Sequence, residues 1–106
     1  MYVVAILPMQ DAAADRRERP SHEAYMAELR ERGKIWAMGR FAQDLGGMAI
    51  LDVASLDEAR TLMAADPLIQ SGARSLTLYP WTPSGPVAAI TDMGSPGEPG
   101  SPQPAR

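Results

Sequence analysis

The sequence predicts a small α+β domain whose strands and helices follow one another in the order β-α-β-β-α-β. Three observations predict this order. A β-branched, apolar segment opens the chain, and two later segments have apolar residues at helical spacing. Three further short apolar segments are bounded by glycines, prolines and polar residues, as strands are. The chain has 106 residues, which is enough for one such domain and too few for two.

The first strand and the first helix are predicted from the N-terminal third of the chain. Residues 2–7 are apolar and precede a proline, which is typical of a buried strand. Residues 9–20 are polar and alanine-rich, and they end in a proline, so they are predicted as a loop. Ser21 is then expected to cap a helix that runs to about residue 32 and stops at Gly33.

An antiparallel hairpin is predicted in the middle of the chain. Residues 35–41 form its first strand, with Gly39 at a position that often marks a bulge or a close approach to a ligand. Residues 42–47 are a polar turn that ends in two glycines, and residues 48–53 form the second strand. The short linker makes the two strands neighbours.

The second helix and the fourth strand complete the order. Ser55 and Glu58 have the spacing of a capping box, so a helix is expected to begin there. It is predicted to run to about Asp66, where Pro67 ends it. Residues 75–81 alternate in hydrophobicity and form the last strand. Two crossover helices on one face of a four-stranded antiparallel sheet make the ferredoxin-like arrangement.

Composition sets the domain boundary and limits the class of protein. Residues 1–81 are predicted as the folded domain, and residues 82–106 as a disordered tail rich in proline and glycine. Within that tail, only residues 87–91 have the composition of an added strand, and a partner subunit could supply its neighbouring strand. The net charge of −3 argues against a nucleic-acid-binding surface. The N-terminal apolar segment is too short for a signal peptide or a membrane span, so a cytoplasmic protein is expected.

Several kinds of site are excluded or disfavoured by the sequence. The chain has no cysteine, which excludes disulfides, thiolate metal sites and cysteine nucleophiles. One histidine among scattered carboxylates makes no recognisable metal site, and there is no glycine-rich phosphate loop. The basic cluster at residues 16–19 is interrupted by acids and is interpreted as part of a solvated loop, with contact to an anionic ligand as the less favoured alternative.

His22 and Asp66 are the candidate functional residues. Each shares the spacing of its helix's inward apolar face: His22 with Tyr25, Met26 and Leu29, and Asp66 with Ala59, Leu62 and Met63. The structural alternative is a partly buried histidine and a turn aspartate before a proline. The predicted helix boundaries put the two residues at opposite ends of two parallel helices, which argues against direct contact. Contact then requires that Asp66 lies beyond the last helical turn or that the chain bends at Pro67.

The sequence resembles the YciI-like (YCII-related) proteins, relatives of muconolactone isomerase in fold, over about residues 1–81. The resemblance rests on an ordered set of short motifs: Met1-Tyr2-Val3-Val4, His22-x-x-Tyr25-x-x-x-Leu29, Gly33, Gly39-x-Phe41, Gly46-Gly47-x-Ala49-Ile50, Ser55-x-x-Glu58-Ala59-Arg60, Asp66-Pro67, Gly72 and Pro80-Trp81. It implies a dimeric α+β barrel with two sheets packed face to face, and a site with a histidine and an aspartate, here His22 and Asp66. One characterised branch of the family resembles a dehydrochlorinase of a chlorinated hydroxyquinol.

Two hypotheses of function follow. The first is a cofactor-free, metal-free enzyme that isomerises or eliminates from a small cyclic or aromatic compound, with His22 as acid or base and Asp66 orienting it. Trp36 and Phe41 would then wall the pocket, and Arg40, where many relatives have proline, would hold an anionic group. The second is a non-catalytic ligand-binding or accessory module. Both assume a homodimer, a small-molecule ligand, and neither nucleic acid nor membrane as partner.

Overall fold

Four antiparallel strands form one sheet in the order β2-β3-β1-β4. The structure is a computed structural model that describes residues 1–85. The strands are β1 (Tyr2–Pro8), β2 (Ile35–Arg40), β3 (Gly46–Asp52) and β4 (Thr77–Trp81). This order, with one helical connection after β1 and another after β3, confirms the predicted ferredoxin-like α+β fold.

Three helices and one short turn of 3₁₀ helix connect the strands. The helices are α1 (Ala12–Glu31), α2 (Leu56–Ala64) and α3 (Pro67–Gln70), and the 3₁₀ turn (Ala42–Asp44) lies inside the β2–β3 hairpin. α3 packs against α1. None of the helices described within residues 1–85 is both long and apolar enough to cross a membrane.

The core lies between the helices and one face of the sheet. Buried and half-buried residues alternate along β1, so Val3, Ala5 and Leu7 all point to the same side. Val3 is paired with Leu51 and Ala5 with Ala49, which puts the buried residues of β3 on that side too. Burying these side chains under Met26 and Leu29 of α1 and Met63 of α2 supplies the main hydrophobic stabilisation.

The opposite face of the sheet has no helix over it within residues 1–85. Tyr2 of β1 packs there against Trp36 and Trp81, with ring centroids 5.4 and 6.3 Å away. Tyr79 and Trp81 remain 57% and 37% exposed, so a large aromatic surface faces outward. We call this surface the aromatic sheet face.

The first helix has its N-cap ten residues before the predicted cap at Ser21, so the prediction of a loop was wrong for residues 12–20. Asp11 caps it, because its side chain accepts hydrogen bonds from the N–H groups of Ala13 and Ala14, both at 3.1 Å. The helix continues through Pro20, whose ring removes the hydrogen bond to the Arg16 carbonyl. Both residues are exposed, so water can solvate that carbonyl. The predicted stop at Gly33 is confirmed, with φ at +77°.

The second predicted helix is two elements. Ser55 caps α2 as predicted and accepts a hydrogen bond from the Glu58 N–H at 3.0 Å. α2 ends at Ala64, and Asp66 is the N-cap of α3, with Pro67 in the first helical position. The sequence predicted that the second helix runs to about Asp66, but Asp66 lies beyond the end of α2.

Smaller differences concern the hairpin and the C-terminal segment. The irregularity in β2 falls between Ile35 and Ala37, not at Gly39. Gly46 and Gly47 begin β3 instead of ending a turn, and β4 begins at Thr77. The predicted tail, with its possible strand over residues 87–91, lies outside the described residues apart from its first four positions.

Candidate active site

His22 and Asp66 form a direct hydrogen bond. The Nδ1 atom of His22 lies 2.8 Å from Oδ1 and 3.0 Å from Oδ2 of Asp66. Asp66 is fully buried, whereas the His22 side chain retains 18% of its exposure. Oδ1 of Asp66 also accepts a hydrogen bond from the Leu68 N–H at 3.0 Å. The carboxylate is thus held from two directions, one of them by the backbone.

This contact decides which nitrogen of His22 carries the proton. An ionised carboxylate only accepts hydrogen bonds, so Nδ1 must donate to Asp66. The neutral ring then has its lone pair on Nε2, and no group within residues 1–85 hydrogen-bonds that atom. A histidine held in this way can take a proton at Nε2, and the buried carboxylate stabilises the charge that results.

The two residues meet because both helix boundaries differ from those predicted. Helix α1 starts at Ala12, so His22 lies in its middle and not in its first turn. Asp66 lies after α2, at the start of α3, and α3 packs against α1. The predicted objection, that the residues belong to opposite ends of parallel helices, therefore does not apply. The alternative that placed Asp66 beyond the last turn, beside Pro67, describes the structure.

A cavity of about 240 Å³ lies next to His22. Charged and ionisable side chains line part of it: Arg19, His22, Glu23, Arg40 and Arg74. Its other lining residues are apolar or glycine: Leu7, Met26, Met38, Gly39, Met48 and Ala49. A cavity of about 150 Å³ already admits benzene, so this one has room for a substituted single ring.

Asp15, which does not itself line the cavity, forms hydrogen bonds with two of the arginines that do. It is fully buried, and its Oδ1 accepts hydrogen bonds from Nε and Nη2 of Arg19, at 3.1 and 2.5 Å. Its Oδ2 accepts one from Nε of Arg74 at 2.6 Å. Burial raises the pKa of the Asp15 carboxyl, but the two guanidinium groups outweigh burial and hold the pKa below its usual value. Asp15 is therefore an ionised anchor, and residues 16–19 are helical instead of the solvated loop that was predicted.

The three residues predicted to bind substrate do not lie together. Arg40 lines the cavity, although its side chain is 59% exposed and approaches Asp44 at 3.7 Å. Trp36 is not in the lining, because its ring lies on the aromatic sheet face against Tyr2. Phe41 is also absent from the lining. It follows β2, and its N–H donates to the Gly46 carbonyl at 2.8 Å.

The sequence does not single out Asp15 or Arg74, and it offers Arg19 only as part of the basic cluster, under the less favoured alternative of contact with an anionic ligand. The i, i+4 spacing of Asp15 and Arg19 was a usable signal, but only if residues 9–20 are helical. Arg74 is separated from Asp15 by 59 positions and lies in an irregular segment before β4, so no local pattern marks it. Within residues 1–85, no three histidine or acidic side chains are grouped as a metal site requires.

Comparisons with known proteins agree on family and fold. The family model of the YCII-related domain matches residues 1–82. The uncharacterized protein YjpA of Bacillus subtilis (strain 168) is 28% identical over 81 residues, which cover 76% of this chain and 95% of YjpA. Among solved structures, the 5-chloro-2-hydroxyhydroquinone dehydrochlorinase TftG from Burkholderia phenoliruptrix AC1100, in complex with 2,5-dihydroxybenzoquinone, matches with a TM-score of 0.67 and 19% identity. The match covers 77% of this chain and 94% of TftG, and at this identity it establishes the fold.

Proposed function

The chain belongs to the YCII-related domain family, and we propose that it is a cofactor-free acid–base enzyme. In this proposal His22 transfers a proton to or from a small cyclic or aromatic compound, and the outcome is an isomerisation or an elimination. Asp66 orients the imidazole and stabilises its protonated form.

The observation that supports the proposal most is the His22–Asp66 hydrogen bond at the wall of a cavity. A fully buried aspartate that bonds both a backbone N–H and an imidazole fixes the ring, so its free nitrogen is presented in one orientation. A structural histidine that merely completed the hydrophobic face of α1 would need neither a buried carboxylate nor a cavity beside it.

The chemistry follows from the tautomer. Nε2 of neutral His22 takes a proton from a carbon next to a carbonyl. The electron pair of the broken C–H bond stays on the substrate, which becomes an enolate. In an isomerisation, the histidine returns the proton to a different carbon. In an elimination, the electron pair expels a leaving group from the neighbouring carbon, and His22 later releases its proton to water.

The proposed substrate class rests on the size of the cavity and on the structural neighbour. A volume of about 240 Å³ suits a single substituted ring. TftG is named as a dehydrochlorinase of a chlorinated hydroxyhydroquinone, and its structure contains a dihydroxybenzoquinone. Both compounds are single rings with oxygen substituents, so hydroxyquinols and enol-lactones are the first substrates to test.

The test of this function is turnover of such compounds by wild-type protein and by His22→Ala. We expect kcat to fall by roughly 10²- to 10⁴-fold, the usual contribution of a general acid or base. Glu28→Gln, on an exposed part of the same helix, is the matched control and should retain full turnover. Unchanged turnover in folded His22→Ala would remove His22 from the mechanism.

A second measurement addresses the pair directly. The chain contains one histidine, so its imidazole NMR signals are unambiguous. The proposal requires the Nδ1–H tautomer in the wild-type protein and a change of tautomer population in Asp66→Asn. Binding of small rings without any turnover, together with full function of the His22→Ala variant, would favour the alternative of a non-catalytic binding or accessory module.

We also propose that the protein is a homodimer in which the aromatic sheet faces of two copies pack together. Tyr2, Trp36 and Trp81 form a connected aromatic cluster on that face, with Trp36 and Trp81 6.4 Å apart. Exposed apolar area of this kind marks an interaction surface, and the face of a second sheet can pack against it. Sedimentation should give a dimer for the wild-type chain and a monomer for Trp81→Glu. A monomeric wild-type protein at micromolar concentration would contradict the dimer.

A further inference from the structure

The guanidinium of Arg74 is a nearly buried cation in the wall of the cavity beside His22. Its side chain keeps only 6% of its exposure, yet it lines the cavity. Removing a charge from water is costly unless partners replace the water. Arg74 has such a partner in Asp15, but the Asp15 carboxylate bonds only Nε of Arg74.

The remaining donors of Arg74 are unused. A guanidinium has five N–H donors, of which four belong to the two terminal nitrogens. Within residues 1–85, no acceptor hydrogen-bonds Nη1 or Nη2 of Arg74, and Oδ1 of Asp15 instead accepts two bonds from Arg19. Among the residues that the structure describes, the terminal nitrogens therefore form a donor pair without an acceptor.

The backbone next to Arg74 leaves room for this donor pair. A Cβ atom on Gly47 would lie 3.1 Å from Nη1 of Arg74 and 2.6 Å from the Gly39 carbonyl oxygen. Only glycine at position 47 is compatible with both neighbours. Gly39, on the other side of this gap, is itself a lining residue of the cavity.

Among the side chains that line the cavity, arginines outnumber carboxylates, and Asp44, 3.7 Å from Arg40, offsets part of this positive charge. Arg19, Arg40 and Arg74 line the cavity, whereas Glu23 is the one carboxylate in the lining. Asp15 compensates a single charge of the two guanidiniums that it bonds, so this buried cluster has a net positive charge. A planar anion with two oxygens, or an oxyanion on an sp² carbon, is the ligand chemistry that such a fork binds best.

We propose that Arg74 binds an ionised oxygen on a planar carbon of the ligand, as in an enolate, a phenolate or a carboxylate. The assignment rests on the proposed function, since it concerns the same cavity, and it narrows the substrate to rings with such an oxygen. When His22 removes a proton next to a carbonyl, the C–H electron pair forms a C=C bond and the carbonyl π pair moves to oxygen. Arg74 then faces the oxygen that becomes negative, which lowers the barrier to proton removal.

The test compares benzoate with benzamide, which have the same shape but differ in charge. Their affinities are measured by NMR titration, with the single histidine as reporter, so no turnover is needed. The wild-type protein should bind benzoate more tightly than benzamide. In Arg74→Met, benzoate affinity should fall by about tenfold or more, whereas benzamide affinity should change by less than about threefold.

Three further variants make the test decisive. Arg40→Gln removes a more exposed arginine of the same cavity and should lower benzoate affinity less than Arg74→Met does. Arg74→Lys retains a charge without the fork and should give an intermediate affinity. If Arg74→Met does not fold, the double variant Asp15→Leu/Arg74→Met removes the buried pair together and is titrated instead.

The outcomes separate this assignment from the proposed function. Equal binding of benzoate and benzamide by the wild-type protein would overturn it, as would unchanged benzoate affinity in Arg74→Met or a larger loss in Arg40→Gln. If Arg74→Met loses benzoate selectively but no ring compound is turned over, the anion site stands and only the proposed reaction fails. If turnover depends on His22 but Arg74→Met leaves benzoate affinity unchanged, the proposed reaction stands and the anion assignment fails.

Discussion

Replacing Asp15 by Asn tests how much the ionic cluster of Asp15, Arg19 and Arg74 contributes to stability. The substitution keeps the shape of the side chain and removes its charge, so Arg74 is left 94% buried without a counter-ion. Removing one partner of a buried ion pair typically costs 3–5 kcal/mol. The Arg19 side chain is 26% exposed, and its loss of a partner costs less because water replaces the carboxylate. We therefore expect the free energy of unfolding to fall by about 3 kcal/mol.

The assay is urea unfolding at one fixed protein concentration, followed by the fluorescence of the two tryptophans. Arg19→Met is the matched control and should lower the free energy of unfolding by less than about 1 kcal/mol. The double variant Asp15→Leu/Arg74→Met removes both buried charges and should recover most of the stability lost in Asp15→Asn. An unfolding free energy of Asp15→Asn within about 0.5 kcal/mol of wild type would contradict a buried ion pair between Asp15 and Arg74.

The same cluster predicts how stability depends on pH. Burial raises the pKa of Asp15, but Arg19 and Arg74 together hold it below its usual value. Its folded-state pKa is therefore below the unfolded value of about 3.9. The stabilisation by Asp15 is present above about pH 4 and is lost as the pH falls through the folded-state pKa. The stability difference between wild type and Asp15→Asn should accordingly shrink below pH 4, and a difference that stayed constant to pH 2 would contradict the lowered pKa.

Two further variants test the packing around the site. Gly47→Ala puts a Cβ 2.6 Å from the Gly39 carbonyl oxygen and should lower the unfolding free energy by roughly 1–3 kcal/mol in urea. Gly39→Ala meets nothing within 4 Å and is its control; equal effects of the two would contradict this account. Tyr25→Phe removes the 2.6 Å hydrogen bond from the tyrosine hydroxyl to the Leu62 carbonyl and should cost about 1 kcal/mol. Tyr79→Phe, on a side chain that is 57% exposed, should cost almost nothing by the same measurement, and a comparable loss would refute the hydrogen-bond explanation.

The element order was predictable because most boundaries have local causes. Ser55 and Glu58 mark the start of α2 through bonds that span three residues, and Gly33 ends α1 through its own left-handed backbone. The alternation of Val3, Ala5 and Leu7 likewise reports one buried face of β1. Such signals are contained in a few consecutive residues, so a sequence displays them directly.

Pro20 obscures the start of α1 in the sequence. Pro20 usually ends a helix, but its cost depends on whether the freed carbonyl can reach water, and that is a property of the folded surface. The cap at Asp11 and three following alanines were the competing local signal. A helix over residues 12–31 would have moved His22 away from the helix end and removed the objection to its contact with Asp66.

The composition of the site was predictable only in part. His22 and Asp66 stood out as polar residues on apolar faces, and the family resemblance linked them. Arg74 has no such signal, because its partner Asp15 is 59 positions away and the pairing exists only after the sheet has formed. Trp36 is the opposite case, a residue predicted to be in the site that lies outside it. The irregularity between Ile35 and Ala37 in β2 places its ring on the aromatic sheet face instead of in the cavity.

The double role of Asp66 has a consequence for how this protein can change. One oxygen of its carboxylate holds both the imidazole of His22 and the first turn of α3. A mutation at this position therefore removes two hydrogen bonds at once, one to the backbone of α3 and one to the imidazole of His22. Under the proposed function, the start of α3 and the orientation of the imidazole cannot change separately, so we expect substrate preference to change through residues of the cavity wall, with the aspartate kept.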